Sequence, residues 1–446
     1  MPTTAAHAPR PSPCPGLLRI VQAGDGGICR IKLAGGQLSS RQARALAAAA
    51  SSCASGVLEL TNRSNLQIRG VRAGSEAALI EQLLAAGLGP RNLAADDVRN
   101  LLLSPAAGLD RAALVDTRPL AAQLLSLLED QPELHALSAK FALQLDGGES
   151  LAMLQHPHDL WLSALPGQPQ LLAFGLAGCP SDAPLAAVPV EHAVALVQGV
   201  LRLFLQLAGP ERSRMRQLLS ELPATDFIEQ LQARLPFALL REAAITDWRR
   251  GSVACSAPIG IIAQQQTDLQ MVAAGSRLGR ISASQLLALA DLTEQYGDAT
   301  LRLTPWQGLL LPNIPSANSV QVLEQLAALD LLTDAAEPLT RLIACTGSAA
   351  CAKGLADCKA DALLLAERLR HSAARPQVHL SGCPRSCACA HVAPFTLLAQ
   401  SPGTYSLYQR LPGRPGLGQL QAAAISIEQA GDWFAAASPA AGIPHA

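Results

Sequence analysis

Aromatic residues make up only 3% of the 446-residue chain, charged residues only 15%, and the net charge is −1. A nucleic-acid-binding or membrane-surface protein shows a basic excess, and this chain has none. Long apolar runs are also missing. Ala193 to Val200 is bounded by His192 and Arg202, and Leu171 to Val190 is broken by Gly, Pro and Asp182, whereas a membrane span needs roughly 20 apolar residues. The opening residues lack the apolar centre of a secretory signal and read as a short tail. Neither GxGxxG after a strand nor GxxxxGK[ST] occurs. No dedicated nicotinamide or nucleotide site is therefore expected, and electrons would come from a partner protein or a small carrier. Gly24-Asp25-Gly26-Gly27 reads as a turn.

What is plentiful is Ala and Leu. Hydrophobic residues reach 49%, which excludes general disorder, and the length predicts about two to four domains. The 11 cysteines are odd in number and clustered. That argues against a disulfide framework and for a cytoplasmic chain whose thiols are kept for a metal.

An internal repeat organises the chain. Gly36-Gln37-Leu38-Ser39, Gln42, Leu60-Thr61 and Leu66 recur as Gly279-Arg280-Ile281-Ser282, Gln285, Leu303-Thr304 and Leu309 at a constant offset of 243. Two copies are too few for a solenoid and predict a pseudo-dimeric fold. Each copy reads as an apolar strand (28 to 33; 269 to 273), a capping Ser, a helix (41 to 50; 284 to 295) and a strand pair around Thr61 or Thr304. This is an α+β half-domain. Asp97 to Leu102 and Leu339 to Ala344 also pair, with helices predicted at 118 to 129 and 361 to 371. The stretch 184 to 247 reads as a helical connector between the halves.

Cys345-x5-Cys351 and Cys383-x3-Cys387 offer four thiolates in two pairs, the donor set of a tetrahedral metal or a [4Fe–4S] cluster. Zinc pairs usually have about two to four intervening residues, so the x5 spacing suits zinc poorly. Gly347 and the small residues after it allow a tight loop. Pro384 suits the first turn of a helix that would place Cys383 and Cys387 on one face. Cys389 would then point elsewhere. Cys14, Cys29, Cys53, Cys179, Cys255 and Cys358 read as ordinary core or surface residues. The first half has no thiol at the matching place, Leu101 to Ser104.

The first half has cations instead. In the strand after Thr61-Asn62-Arg63-Ser64, residues Asn65, Gln67 and Arg69 would share one face, and the turn would bring Arg63 near it. The second copy has Leu310 and Pro312 where Gln67 and Arg69 would be, so the fold does not require this face. Arg99 and Lys140 are further cations in apolar surroundings, which must reach water or meet an anion. An acidic ligand competes here with surface exposure or internal pairing to Asp and Glu.

The cysteine pattern and the duplicated Thr61 and Thr304 motifs resemble the nitrite/sulfite reductase family across nearly the whole chain. The resemblance implies a duplicated, pseudo-twofold α+β architecture of ferredoxin-like half-domains and two larger α/β lobes around a [4Fe–4S] cluster beside a tetrapyrrole. Its expected divisions are a tail at 1–13, half-domains at 14–75 and 248–316, lobes at 76–247 and 317–435, and a tail at 436–446. The match implies Cys345, Cys351, Cys383 and Cys387 as cluster ligands, with Cys387 nearest the ring, and Arg63, Arg99 and Lys140 against its carboxylates.

Within the family, the segments Cys14 to Ile20, Asp25 to Leu33, Leu60 to Arg63 and Lys140 to Gly148 look most similar to the precorrin-3B synthase branch. The reductases carry a second Lys two residues after the first; here that place is Ala142. This branch implies oxygen-dependent hydroxylation of precorrin-3A at C20 with γ-lactone formation in cobalamin biosynthesis. The reductant would be NADH acting through an external electron donor. A mononuclear non-haem iron is also associated with the branch, with no ligands assigned here; His391 or Cys389 could touch the active site. The alternatives are a sirohaem-dependent nitrite or sulfite reductase, and a non-catalytic iron–sulfur protein that binds tetrapyrroles.

Overall fold

The computed structural model describes residues 12–209, 211–251, 257–389, 391–411 and 416–436. Nearly all of the two expected tails, and Cys255, lie outside these residues. The architecture is the expected duplicated α+β one, built on four five-stranded sheets.

Ser39 and Ser282 start the two equivalent helices, Ser40–Cys53 and Ala283–Tyr296. In each, the Ser hydroxyl accepts the N–H of Gln42 or Gln285, and the Gln side chain accepts the Ser N–H. These reciprocal bonds satisfy amide groups that a helix end leaves open. The strand before each helix crosses to the other half. Gln37–Ser39 pairs with Thr300–Leu303, and Arg280–Ser282 pairs with Val57–Leu60. The half-domains therefore share one core, in which Leu38, Leu46, Leu58, Leu286, Leu301 and Leu311 are all buried. The helices Glu76–Ala85 and Ser319–Ala328 bury Leu79, Leu83, Val322 and Leu326 in the same core. The half-domain packing thus runs past the expected boundaries at 75 and 316, because each helix buries its apolar face in that core.

The lobes repeat a second topology. In the first, the strands Leu101–Leu102, Leu143–Asp146 and His158–Leu165 are parallel, and two antiparallel strands complete the sheet. In the second, Leu342–Ala344, Val378–Ser381 and Phe395–Ser401 are parallel and are followed in the same way. The stretch expected to bridge the halves begins with a strand, Ala186–Pro189, and its helices pack on the first lobe. Leu196, Val200, Phe204, Phe227 and Leu231 share a core there with Leu160 and Leu172. The 19 residues Val190–Ala208 could cross a membrane by length and composition. Here one face of that helix is buried in the lobe, and Arg202 pairs with Glu133 at 2.7 Å.

Candidate functional site: four thiols beside a cation-lined cleft

The strand Leu342–Ala344 runs directly into Cys345, which leaves the end of the second lobe's sheet. The N–H of Cys345 donates to the Leu380 carbonyl at 3.2 Å, and its sulfur accepts the Gly382 N–H at 3.2 Å. The loop then folds back through Gly347, at φ +65°, where a Cβ would meet the Ala356 carbonyl oxygen at 2.1 Å. Cys351 is held by its N–H on the Gly347 carbonyl at 2.9 Å. Cys383 and Cys387 lie on consecutive turns rather than on the expected helix. Ser386 takes φ +48°, and this left-handed residue ends any helical path.

All four thiols are free. Burial pushes the Cys387 thiol up, and the charges of Cys383, Cys345 and Cys351 add to the shift, so the four are within electrostatic reach of one another. Cys345 is held towards thiolate by a hydrogen bond from Cys358, helped by the Gly382 and Gly347 amides and the Lys359 charge. Cys358, expected to be an ordinary core or surface residue, is buried in the second lobe's core, with its sulfur 3.9 Å from the Tyr405 hydroxyl. Four free thiols within reach of one another, with an amide donor on the Cys345 sulfur, fit an iron–sulfur cluster, whose ligands must be thiolates. Among the described residues, no three His, Cys, Asp or Glu side chains close around a single metal ion. Among the described residues there is thus no assembled ligand set for a mononuclear iron or for a zinc ion.

Across from the thiols is the Thr61–Asn65 turn. The Thr61 hydroxyl accepts the N–H groups of Arg63 (3.3 Å) and Asn65 (3.1 Å), and Ser64 takes φ +53°. The turn presents Arg63, whose Nη1 reaches the Lys140 carbonyl at 3.5 Å. Burial, with Arg214 and Arg30 nearby, pushes the Arg63 guanidinium down to about 10. Arg30 leaves the strand Gly26–Ile31 on the same side and lies within reach of the Cys387 charge. With the Gln67 amide turned so that its oxygen faces Arg30, that oxygen accepts Arg30 Nε (3.1 Å) and Nη2 (2.7 Å). Among the described residues, neither Arg63 nor Arg30 has a carboxylate within 4.0 Å.

The larger of two cavities here, about 1060 Å³ with its mouth, is lined by Asn62, His156, Trp306, Arg341, Cys389 and His391 among others. Asn62 Nδ2 donates to the Ala388 carbonyl at 3.2 Å, tying the turn to the segment after Cys387. The His156 and His391 rings lie 5.0 Å apart, and His156 Nδ1 is buried without a partner. Cys389, turned away from the other thiols, has its sulfur 3.7 Å from His391 Nδ1. Burial depresses the histidines, His391 to about 4 and His158 to about 3, so the imidazoles are neutral at pH 7. The smaller recess, about 180 Å³, lies between Arg63, His158, Leu101, Leu102, Ala142 and Leu143. The larger cavity offers the unsatisfied His156 nitrogen, and Arg63, which lines the smaller recess, has no carboxylate partner among the described residues; these donors fit an acidic tetrapyrrole.

Of the residues singled out in the sequence, Arg63 stands at the cleft and Lys140 is exposed beside it on a turn. Three others are committed elsewhere. Arg69 is buried on Asp25, with two bonds of 2.8 Å, and on Glu59 at 3.4 Å. The side chain of Asn65 accepts the Leu33 N–H at 2.9 Å, and Arg99 lies between Asp96 (4.0 Å) and Glu129 (3.7 Å) inside the first lobe. Gln67 acts on Arg30 rather than facing the cleft alone. Arg30, His156 and His158 were not singled out. For Arg30 the signal was its place between the buried Cys29 and Ile31, opposite Gln67 in register. For the histidines, of which His156 meets His391 from far along the chain, no local signal exists.

Residues 20–86 and 262–329 match a family described as the nitrite/sulfite reductase ferredoxin-like half domain. Residues 94–239 match the nitrite and sulphite reductase 4Fe-4S domain, a match that falls on the thiol-free lobe. The chloroplastic ferredoxin–nitrite reductase of Zea mays is 31% identical, over 82% of this chain and 68% of its own length. The ferredoxin–nitrite reductase of Synechococcus elongatus is 30% identical, over 83% and 76%. A ferredoxin sulfite reductase of Mycolicibacterium paratuberculosis is 27% identical, over 83% and 69%. The chain spans about two thirds of the plant relatives, for example 64% of the Oryza sativa enzyme. The Mycobacterium tuberculosis NirA structure has the same fold, with a TM-score of 0.76 and 21% identity over 91% of this chain and 79% of its own.

Proposed function

The chain belongs to the nitrite and sulfite reductase family, and from that premise we propose an oxidoreductase that holds an acidic tetrapyrrole as its substrate. The reading is oxygen-dependent hydroxylation of precorrin-3A at C20 with γ-lactone formation, that is, precorrin-3B synthase. The observation that carries it is the recess beside Arg63. One side of it is Leu101, Leu102, Ala142 and Leu143, and the place of the reductases' second Lys is Ala142, whose N–H donates to the Asp159 carboxylate and whose carbonyl accepts the Asp159 N–H, both at 2.9 Å, so that only a methyl group stands where that charge would be. Arg63 is the one cation among the recess's described lining residues, which also include Asn65, Asn100 and His158, so a small anion such as nitrite or sulfite would lose hydration without gaining a second charge, a loss that neutral dioxygen does not incur.

Arg63 and Arg30 would grip ring carboxylates in charge-assisted bonds, and exposed Lys140 would close the rim. The neutral His156 would offer Nδ1 to the ring or its substituents. In the balance, one oxygen atom of dioxygen enters the C20–O bond and the other leaves as water. Two electrons and two protons come from an external donor, ultimately NADH. The [4Fe–4S] cluster proposed on Cys345, Cys351, Cys383 and Cys387, when bound, supplies electrons one at a time.

A second reading, a sirohaem-dependent nitrite or sulfite reductase, is favoured by the names of the relatives, which take electrons from ferredoxin. An anaerobic visible spectrum with acid–acetone extraction separates the two. Iron–sulfur absorption without extractable sirohaem, followed by oxygen uptake with precorrin-3A, is the expected result. Stoichiometric sirohaem would move the assignment to the reductase. Cluster and bound substrate without oxygen uptake would leave a tetrapyrrole-binding protein.

A further inference from the structure

We propose that Glu59 is a positioning residue for the thiol loop and, together with Lys359, sets the reduction potential of the cluster held there. This inference rests on placing the [4Fe–4S] cluster on Cys345, Cys351, Cys383 and Cys387.

Glu59 stands on the strand Val57–Leu60 of the first half-domain, far in sequence from the thiols, and its side chain is only 14% exposed. Its Oε1 accepts Arg280 Nε at 2.9 Å and the Thr346 hydroxyl at 3.4 Å, and lies 3.6 Å from Lys359 Nζ. Its Oε2 meets Arg69 Nη1 at 3.4 Å. Thr346 is the neighbour of Cys345. Lys359 lies in the first turn of the helix Cys358–Leu369, which follows the thiol loop, and its ammonium also donates to the Leu278 carbonyl at 2.5 Å. One carboxylate thus joins both ends of the loop that carries Cys345 and Cys351 to both half-domains.

The duplication gives an independent reason to read this as a clasp. The residue 243 positions after Glu59 is Arg302. Its Nη1 donates to the carbonyls of Pro105 and Ala107, both at 2.8 Å. That segment follows the strand Leu101–Leu102, just as the thiol loop follows Leu342–Ala344. The same strand position therefore holds the same loop in both halves. At the thiol-free loop an arginine from the second half bonds the loop's carbonyls directly. At the thiol-bearing loop the residue, from the first half, is an anion among three cations. A reduced cluster carries one more negative charge than an oxidised one, so buried charges at this distance bias its reduction. Glu59 opposes reduction and Lys359 favours it.

The test uses the anaerobically purified full chain, with iron and sulfide analysis and a potentiometric titration followed by electron paramagnetic resonance. Glu59→Gln should raise the midpoint potential and Lys359→Gln should lower it. Each should change the reduced-to-oxidised ratio at fixed potential by about tenfold, as a unit charge does over roughly 10 Å at an effective dielectric near 20. A purely structural role would not give shifts of opposite sign. Loss of iron from a folded Glu59→Gln chain, with Lys359→Gln still shifted downwards, supports the clasp. Unchanged midpoints at full iron content overturn the proposal. A wild-type chain that binds no cluster instead overturns the assignment on which it rests.

Discussion

Arg63 and Arg69 lie on one hairpin, and their surroundings give them opposite duties. Arg69 is bonded through both faces of its guanidinium to Asp25 and Glu59 inside the protein, and removing one member of a buried pair costs about 3–5 kcal/mol. Arg63 has a carbonyl and no carboxylate. Arg63→Ala should therefore weaken tetrapyrrole binding by about 2–5 kcal/mol and leave the melting temperature nearly unchanged, whereas Arg69→Ala should lower the melting temperature sharply. Ligand titration and thermal melting of both variants check this, and unchanged binding in Arg63→Ala would sink the cleft assignment. At this scale the sequence shows that charge is present, but it does not show where the opposite charge is. Asp25 is 44 residues from Arg69 and Glu129 is 30 from Arg99, so pairing and ligand binding look alike until the chain is folded. Arg63 was legible because its turn has a pattern of its own. Arg30 was not, because a strand's alternation gives a side chain's face and not what occupies that face.

At the scale of elements, duplication made much of the fold readable. Ser39 and Ser282 are each followed three residues later by Gln, and both pairs form the reciprocal cap. Ser39→Ala and Ser282→Ala should each cost about 1 kcal/mol of stability with no change in cluster content, measured by denaturant unfolding and iron analysis. A loss of iron in either variant would mean that these helices also hold the site. Where no repeated or periodic pattern existed, the reading failed. Cys383 to Cys387 looked helical by spacing alone, but Ser386 at φ +48° makes the segment a series of turns. The first-lobe helices looked like a bridge because amphipathicity shows that a face is buried without naming its partner; that partner is the sheet containing Leu160 and Leu172.

For the whole molecule, the constant offset of 243 announced two halves, yet it could not show that they interlock. The exchanged strands, Gln37–Ser39 and Arg280–Ser282, are three residues each, too short to carry a pattern, and they pair only across the halves. Their exchange leaves each half-domain sheet incomplete without the other. It also brings Arg280 against Glu59 and so joins the fold's centre to the thiol loop. Division of the chain between 251 and 252 tests this directly. Each fragment alone would expose Val57–Leu60 or Thr300–Leu303 as an unpaired sheet edge and uncover the apolar surface that the other half buries. Neither should show a cooperative thermal transition, while the two expressed together should associate and recover both the transition and the iron content. If the first fragment melted cooperatively by itself, the exchanged strands would be an ornament of two independent domains. The contacts of Glu59 with Thr346 and Lys359 would then fasten two independent domains together rather than belong to one interlocked core.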